Sequence, residues 1–545
     1  MKMSKKILNN FSKEITLYTL LGIVVSLLGA INIFYFQKLL DSYINGFQIS
    51  VIIVYSVTII LIPILSYLEQ GPKNNLSNGI YYFLKKEALK KVSVISYAAY
   101  LKLGSGALLQ KIETGSNAGR NIYLNFYCRV FRELLPEAVF NLFFIALIDR
   151  KLILPILAGY VIVFVITKYL LKVLQQMKSQ TLISEEKLNG TLIRGITEMV
   201  TFRINKRYKK EVDEYHKMSA NITSDLTKMT LIHEFFFASF AVLVAAIKVL
   251  IVVLFFQGHI SITIGGLVAL IAYVDKIYSP VAIFNVIFIQ YHLDSVSYQR
   301  LNEFYNLPND ENLFISSEPL GKVDSINIKD VSMSFDHKQV LGNINFVFDK
   351  KKYGLIGESG SGKSTLIKLI LGLIKPTTGG VLIDDRNLMD TNLQDYYDHV
   401  FYLSQEVAIF QGSLRENIVF DKPITDQTIK EVLMKCQLSE FLSSLPNGLD
   451  TQIGEKGANI SGGEKQRIAF ARLFFSDAEI VIFDEATSAL DEETEERILK
   501  EINPSLIDKI VIMITHRPKN LTFVDEIIDL NSLQEKKREM IYRYS

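Results

Sequence analysis

One loop near the middle of the chain constrains this sequence more than any other feature. Residues 357–365 read GESGSGKST and fit the pattern G-x-x-x-x-G-K-[ST]. The apolar run 353–356 precedes the loop, and the helix-forming run 366–373 follows it. This order predicts a strand, a glycine loop and a helix, whose backbone N–H groups and N-terminal dipole would surround phosphate groups. The alternative, a flexible Gly/Ser turn, does not explain that context, so we predict a nucleotide site.

The chemistry of the loop assigns ATP and Mg²⁺ as the expected cofactors. Lys363 has the spacing to reach the β- and γ-phosphates, and Ser364 offers a hydroxyl to Mg²⁺. The remaining residues of the predicted ATP site in this loop are Gly357, Ser359, Gly360, Ser361, Gly362 and Thr365.

Hydrophobic residues make up 49% of the 545 residues, and they are concentrated in the first 290. The formal net charge of +2 gives no electrostatic footprint for nucleic acid. The stretch 307–312 is rich in turn-forming residues. We therefore predict a transmembrane domain over residues 1–305, a linker over 306–322, and a soluble α/β domain over 323–545.

The first domain contains apolar runs long enough to cross a bilayer as helices, which takes about 20 residues each. The third run is the least typical, because Arg132, Glu133 and Glu137 lie near its start. The six predicted spans are 15–36, 49–68, 130–148, 152–171, 231–256 and 264–290.

Charge predicts the orientation of these spans. The long connections after the second and fourth spans are rich in Lys and Arg, whereas the other connections are short and carry few. The positive-inside rule then places both termini and the soluble domain in the cytoplasm, beneath the cytoplasmic membrane. The long connections are helical in pattern, so spans two to five should continue as cytoplasmic helices. The basic N-terminal segment 2–11 is expected to lie on membrane lipid.

Further chemistry-bearing residues end two apolar runs of the soluble domain. The run 479–483 ends in Asp484 and Glu485, which is the pattern of a buried parallel strand with functional residues at its C-terminal end. Asp484 would hold Mg²⁺, and Glu485 would accept a proton from the attacking water. A second run, 509–515, ends at His516, which suits a contact with the γ-phosphate.

A second phosphate cradle precedes the helix-forming run 468–475. It consists of Ser461, Gly462 and Gly463. One nucleotide hardly needs two cradles from one chain, so we predict a dimer in which each chain's second cradle closes on its partner's ATP.

Taken together, these motifs resemble the ATP-binding cassette (ABC) transporters, and among them the exporter-type half-transporters. The resemblance covers essentially the whole chain and rests on the glycine loop, ISGGEKQR at 460–467, IVIFDE at 480–485 and SALD at 488–491. It implies a six-helix all-α transmembrane domain and an α/β P-loop ATPase domain. It also implies that Gln405 senses Mg²⁺, that Asp491 belongs to the nucleotide site and that His516 is the switch histidine.

The resemblance carries further expectations. Residues 410–418 and 451–457 match exporter patterns, and residues 103–112 and 195–203 should hold the coupling helices, the second docking mainly on the partner. Phe335 stands where the family usually stacks adenine on tyrosine. Glu464 replaces a commoner Gln, and the tail after Leu530 lacks the usual closing motif. With the first span so near the start, no N-terminal peptidase domain is expected.

Two function classes fit these residues: an ATP-driven transporter and a nucleotide-gated membrane regulator or channel. The intact Glu485 and His516 favour turnover. Export is the default direction, and an importer of the same fold is the alternative; peptides, lipids and drugs are possible substrates. Because no motif is degenerate, we predict a homodimer, with a heterodimer as the alternative.

Three charges interrupt the last two spans and form the predicted substrate cluster: Lys248, Asp275 and Lys276. Intramembrane charges usually face the bundle interior and have partners. Lys248 and Asp275 fall at a similar depth, so they can pair, which leaves Lys276 as surplus positive charge for an anionic substrate group. The alternative is that Lys248 reaches the outer interface and the other two contact backbone or water.

Overall fold

A computed structural model describes residues 2–46, 48–103, 105–260, 262–335, 338–420, 422–454, 460–515 and 517–533. The chain divides into two compact units. The first comprises Met1–Ser93 and Leu103–Leu307, and the second comprises Val94–Lys102 and Pro308–Ser545.

The first unit is helical. Its helices are α1 (Lys2–Asn10), α2 (Ser12–Asn45), α3 (Ile49–Leu68), α4 (Gln70–Val92), α6 (Ser105–Asn121), α7 (Leu135–Ile148), α8 (Ile153–Thr197), α9 (Met199–Ile204), α10 (Tyr208–Phe256) and α11 (Ile264–Tyr305), while α5 (Tyr97–Leu103) belongs almost entirely to the second unit. Two π-helical segments, Ile122–Cys128 and Val130–Leu134, join α6 to α7, and a short 3₁₀ turn, Arg150–Leu152, precedes α8. All six predicted spans lie in helical segments. The stretches Ser12–Ser42, Ile49–Val92 and Tyr208–Phe256 are long and apolar enough to cross a membrane by length and composition.

The charges at the start of the third span have partners within the helical unit. Arg132 donates from Nε to Glu69 at 3.2 Å and from Nη2 to the same carboxylate at 2.5 Å. Its Nη1 also donates to the Tyr18 hydroxyl at 3.1 Å. Such two-point guanidinium–carboxylate contacts are among the stronger charged hydrogen bonds. The charge of Arg132 is therefore compensated inside the helical unit.

The long helices continue well beyond the predicted spans, as expected. Helices α8 and α10 run beside each other, and Arg194 on α8 pairs with Glu211 on α10 at 2.6 Å. The short helix α9 joins them and overlaps the segment 195–203 predicted as the second coupling helix. The apolar side chains of Ile196, near the end of α8, and of Val200 and Ile204, on α9, are between 61 and 73% exposed in the single chain.

The first predicted coupling segment, 103–112, spans the junction of two helices. Leu103 ends α5, and residues 105–112 begin α6, which packs on α4 and α11. The segment that joins the nucleotide-binding unit is α5 and the residues before it: Ser96 N donates to Pro308 O at 3.1 Å, and Asp310 N donates to Val94 O at 2.8 Å. The reason is aromatic packing, because Tyr97 lies against the hydrophobic core of the second unit.

The predicted linker 306–322 is also held by hydrogen bonds. Besides the pairing of Pro308–Asp310 with 94–96, Leu320 N donates to Asp395 at 2.6 Å, and Asn392 Nδ2 donates to Ile315 O at 3.1 Å. Residues 308–322 therefore pack as part of the second unit.

The second unit is an α/β domain with a parallel central sheet. The strands are β1 (Ile326–Phe335), β2 (Lys338–Phe348), β3 (Lys352–Ile356), β4 (Thr378–Ile383), β5 (Arg386–Asn387), β6 (Val400–Leu403), β7 (Gly412–Ser413), β8 (Gln452–Ile453), β9 (Ile480–Asp484), β10 (Ile510–Ile514) and β11 (Glu526–Asp529). The parallel sheet has the order β11-β3-β10-β9-β6, and an antiparallel sheet has the order β2-β1-β4-β5. β7 pairs with β8.

The helices of this unit are α12 (Lys363–Ile370), α13 (Leu393–Asp398), α14 (Leu414–Val419), α15 (Asp426–Lys435), α16 (Ser439–Ser444), α17 (Gly462–Leu473) and α18 (Glu492–Ile502). The central strands are buried on both faces, which is why β9 and β10 read as continuous apolar runs. Two clusters of buried side chains cover the faces, one including α12 and the antiparallel sheet and the other including α17 and α15.

Candidate functional site

The predicted nucleotide loop has the local structure that its sequence indicates. It follows β3 and ends at Gly362, the N-cap of α12, which has a φ of +100°. A Cβ on Gly362 would lie 2.6 Å from Leu341 Cδ2, so glycine is required on both counts. The Lys363 side chain is 7% exposed, and its ammonium donates to the Gly357 and Glu358 carbonyls at 2.7 and 2.9 Å. Ser359, Gly360 and Ser364 are exposed along the same loop.

Three predicted catalytic and metal-binding residues meet at the carboxyl edge of the parallel sheet. Asp484 ends β9, Glu485 follows it with a φ of +51°, and Gln405 follows the neighbouring strand β6. The Gln405 Nε2 donates to Glu485 Oε2 at 2.9 Å. Glu485 N donates to Ile514 O at 3.1 Å, which ties its backbone to β10. Carboxyl ends of parallel strands meet at one edge, so sequence-distant residues are brought together.

The electrostatics of this edge suit a cation. Burial raises the pKa of the Asp484 carboxyl above its usual value, and the positive charges of Lys368 and Lys363 oppose that rise. Ser364, Asp484 and Gln405 supply hydroxyl, carboxylate and amide oxygens, the hard donors that Mg²⁺ prefers. Gln405 uses its NH₂ group on Glu485, so its amide oxygen is the atom suited to a metal. The donor set therefore fits Mg²⁺ shared with phosphate groups.

The second predicted cradle starts α17 with a capping box. Ser461 Oγ accepts from Glu464 N at 3.3 Å, and Glu464 Oε2 accepts from Ser461 N at 2.7 Å. This explains the departure at Glu464, because Glu and Gln both serve in a capping box. Ser461 and Gly462 are exposed, and Gly463 is half-buried.

Gln466 is a residue that the sequence analysis did not single out. Its side chain is 3% exposed; Nε2 donates to Ser488 Oγ at 3.1 Å, and Oε1 accepts from Ala489 N at 2.9 Å. The second cradle is thereby joined to the segment 488–491. A signal was available: Gln466 shares the buried face of α17 with Ala469, Phe470 and Leu473 and is polar among apolar residues. Asp491 caps α18 by accepting from Thr494 N at 2.9 Å and is itself exposed.

A buried polar network surrounds the end of β10. Asn520 donates to Glu495 at 2.5 Å and to Thr515 Oγ1 at 3.2 Å, and Arg517 pairs with the same Glu495. Arg517 also donates to the Leu490 carbonyl at 3.0 Å. The network thus connects the residues on either side of position 516 with the segment 488–491. His516 itself lies outside the described residues.

Phe335, the predicted adenine contact, ends β1, and 47% of its surface is exposed. The two exporter-type segments meet each other: Gly412 and Ser413 pair with Ile453 and Gln452, and Leu414 N donates to Thr451 O at 3.0 Å. Residues 455–457 of the second segment, and the atypical tail from 534, lie outside the described residues.

The predicted substrate cluster is partly corrected. Lys248 Nζ lies 2.5 Å from Asp275 Oδ1, so the expected pair across α10 and α11 is present. Lys276 is not surplus, because Glu137 Oε1 on α7 lies 4.0 Å from its Nζ. The sequence analysis noted Glu137 only as a charge near the third span. Its contact with Lys276 could not be predicted, because the two residues are far apart in the sequence. Lys276 and Asp275 keep 54 and 55% of their side chains exposed in the single chain.

Comparison with known proteins agrees with this architecture. Residues 341–488 match the family model described as ABC transporter. Two Staphylococcus aureus proteins, from strains bovine RF122 / ET3-1 and NCTC 8325 / PS 47, are named multidrug export ATP-binding/permease proteins. Each is 26% identical over 503 residues, covering 90% of this chain and 86% of the relative. The structure of a bacterial Atm1-family ABC exporter with ATP bound superimposes with a TM-score of 0.80 at 19% identity, over 96% of this chain and 93% of that one.

The fold and the site therefore define a multi-pass membrane protein that carries an ABC ATPase domain. Residues 341–488 thus form an ABC transporter domain, and the chain as a whole resembles exporter-type half-transporters, in which transmembrane and nucleotide-binding domains share one polypeptide.

Proposed function

We propose that this chain exports an amphipathic substrate across the cytoplasmic membrane, driven by ATP hydrolysis. The observation that carries the proposal is the contact of Gln405 with Glu485, next to Asp484. These residues lie at the sheet edge where β3 ends and the loop before Lys363 begins. A gate that only binds nucleotide has no need of an oriented general base. The names of the Staphylococcus aureus relatives support export over import.

In this proposal Lys363 and the loop N–H groups hold the phosphates of ATP, and Phe335 stacks on adenine. Ser364, Gln405 and Asp484 hold Mg²⁺, which neutralises charge on the phosphates. Glu485 accepts the proton of the attacking water, and His516 contacts the γ-phosphate. Asp491 and the second cradle complete the site.

Reconstitution tests the activity. Proteoliposomes holding the purified chain, ATP and Mg²⁺ should accumulate or expel a fluorescent amphipathic cation, and the ATPase rate should rise with the transported compound. Amphipathic peptides and labelled lipids serve as alternative probes in the same assay. Glu485→Gln is the matched inactive control. ATP-dependent conductance without accumulation of any probe would instead favour the channel, and accumulation in the inward direction would favour an importer.

The working unit proposed is a homodimer with two composite sites. Ser461 and Gly462 are exposed in the single chain, as residues that act on a partner's nucleotide must be. The apolar tip formed by Ile196, Val200 and Ile204 is also exposed, which suits docking on a second copy's nucleotide-binding domain. The proposed orientation places the termini and both nucleotide-binding domains in the cytoplasm.

Mixed dimers test the composite site. Lys363→Ala and Ser461→Ala each inactivate homodimers, but a mixed dimer keeps one site with an intact Lys363 from one chain and an intact Ser461 from the other. Co-expression with two different affinity tags should therefore restore part of the ATPase activity. Activity absent from mixed dimers that are demonstrably formed would contradict the trans arrangement, and a requirement for a sister chain would replace the homodimer by a heterodimer.

We also propose that Lys248, Asp275 and Lys276 contribute to the substrate path. The contact of Lys276 with Glu137 is long, at 4.0 Å, so Lys276 can exchange Glu137 for an anionic substrate group. Transport by Lys276→Gln and by Lys248→Gln/Asp275→Asn tests this role, with basal ATPase as the folding control. Transport at the parent's rate and affinity by both variants would remove the cluster from the path.

A further inference from the structure

The carboxylate of Asp484 also has a hydrogen-bond partner on the neighbouring strand β6. The Tyr402 hydroxyl donates to Asp484 Oδ2 at 3.2 Å. The contact follows from strand pairing, because Tyr402 lies opposite Ile482 in the parallel pair β6–β9, and both residues precede the carboxyl edge of the sheet. Tyr402 stands three residues before Gln405 in the sequence.

We propose that Tyr402 is a positioning residue for the metal-binding carboxylate of Asp484. By donating to Oδ2, it holds one carboxylate oxygen and leaves the other to face the cation. Mg²⁺ demands near-ideal octahedral geometry, so a carboxylate that rotates binds it poorly. Hydrogen-bond partners of ligating groups typically change metal affinity or activity by about 10–100-fold. The proposal rests on the proposed ATP site.

The direction of this hydrogen bond follows from the chemistry of the two groups. A carboxylate only accepts, so the Tyr402 hydroxyl is the donor and Asp484 Oδ2 is the acceptor. The pairing of β6 with β9 holds the two side chains at one edge of the sheet.

The test separates metal binding from nucleotide binding. In the full-length Glu485→Gln chain, which should retain ATP, Mn²⁺ is titrated and followed by electron paramagnetic resonance. ATP affinity is measured separately in EDTA. Adding Tyr402→Phe should lower the Mn²⁺ affinity of the ATP complex about tenfold and leave the ATP affinity in EDTA unchanged. Tyr397→Phe, which removes a half-buried hydroxyl elsewhere in the same unit, is the matched control and should change neither.

Two outcomes would overturn the proposal. Mn²⁺ affinity equal to that of the Tyr397→Phe control would show that the hydroxyl does not position Asp484. An equal fall of ATP affinity in EDTA would show a structural role. If Tyr402→Phe does not fold, Tyr402→His and Tyr402→Leu are compared instead. Tyr402→His keeps a ring N–H donor, so it should retain a higher Mn²⁺ affinity than Tyr402→Leu. Failure of the parent chain to bind ATP would contradict the proposed function itself and is recognised before any Tyr402 variant is compared.

Discussion

The side-chain amide of Gln405 donates a hydrogen bond to the carboxylate of Glu485 at 2.9 Å. Gln405, in the loop after β6, thereby orients the carboxylate that follows β9. Glu485 also has a left-handed backbone, with a φ of +51°, stabilised by its N–H bond to Ile514. A non-glycine residue in that conformation is uncommon and often marks a functional position. The two residues form one unit at the carboxyl edge of the sheet.

Glu485→Gln should abolish most ATP hydrolysis without abolishing ATP binding. An amide cannot accept the proton of the attacking water, and a positioned general base contributes about 10²–10⁴ in rate. Single-turnover hydrolysis and nucleotide retention in detergent measure the two effects. Glu496→Gln, on the exposed face of α18, is the control. Near-parent turnover by Glu485→Gln would remove Glu485 from the base role.

Glu464→Gln should be almost neutral, whereas Glu464→Ala should destabilise the start of α17. Gln can complete the capping box with Ser461, but Ala leaves Ser461 N without its side-chain acceptor. The loss of such a cap costs about 1 kcal/mol. Thermal unfolding and ATPase rate of the full chain test this, with Lys465→Ala as an exposed neighbour. Equal effects of Gln and Ala would mean that charge, not capping, sets the role of Glu464.

Asp294→Asn should stabilise the chain at alkaline pH. Burial raises the pKa of Asp294 to about 6, although Gln290 donates to it at 3.1 Å and Arg120 opposes the rise. The folded-state pKa lies above the unfolded value, so the stability contributed by the protonated acid is complete below about pH 4 and is lost as pH rises through about 6. The variant avoids that loss, which amounts to about 1–3 kcal/mol above pH 7.

The measurement for Asp294 is the difference in melting temperature between variant and parent at pH 5 and pH 8 in one detergent. The difference should be larger at pH 8. Asp213→Asn, at an exposed site on α10, should show no such pH dependence. A difference independent of pH would mean that Asp294 does not titrate in this range.

Breaking the Lys248–Asp275 pair should harm stability more than removing it. Lys248→Gln leaves Asp275 without its partner, which lies at 2.5 Å, and a lone charge within a bilayer costs about 2.5–3.5 kcal/mol on insertion scales. The double variant Lys248→Gln/Asp275→Asn should unfold at a higher temperature than either single variant. A double-mutant cycle in lipid nanodiscs measures the coupling. Additive effects would show that the two residues do not interact in the membrane.

The local structure of the candidate nucleotide site was predictable because each of its parts is encoded in a short stretch of sequence. The loop before Lys363, the acids after β9 and the cradle at Ser461 are each encoded in a short stretch with its own strand or helix context. The capping box was equally readable, since Ser461-x-x-Glu464 is its pattern. The role of Gln405 was inferred from the resemblance. Its contact with Glu485 could be recognised only once the order of the strands was known.

The contacts that sequence could not predict join residues far apart in the chain. The local sequence does not indicate that Arg132 pairs with Glu69 or that Lys276 lies near Glu137. Residues 97–103 and 105–112 are both helical, and only packing against the core around Tyr97 shows which of the two segments joins the second unit. Helical pattern gives the element, but tertiary contacts decide which unit it joins.

Residues Val94–Lys102 lie between α4 and α6 in the sequence, yet they pack as part of the nucleotide-binding unit. A chimaera that exchanges the ATPase domain of this chain with that of a relative must therefore exchange this insert together with residues 308–545. If the cut is made at position 308 alone, the strand bridge between Ile95 and Asn309 joins a native half to a foreign half. The boundary along which these two domains can be recombined is thus a pair of sites and not a single position.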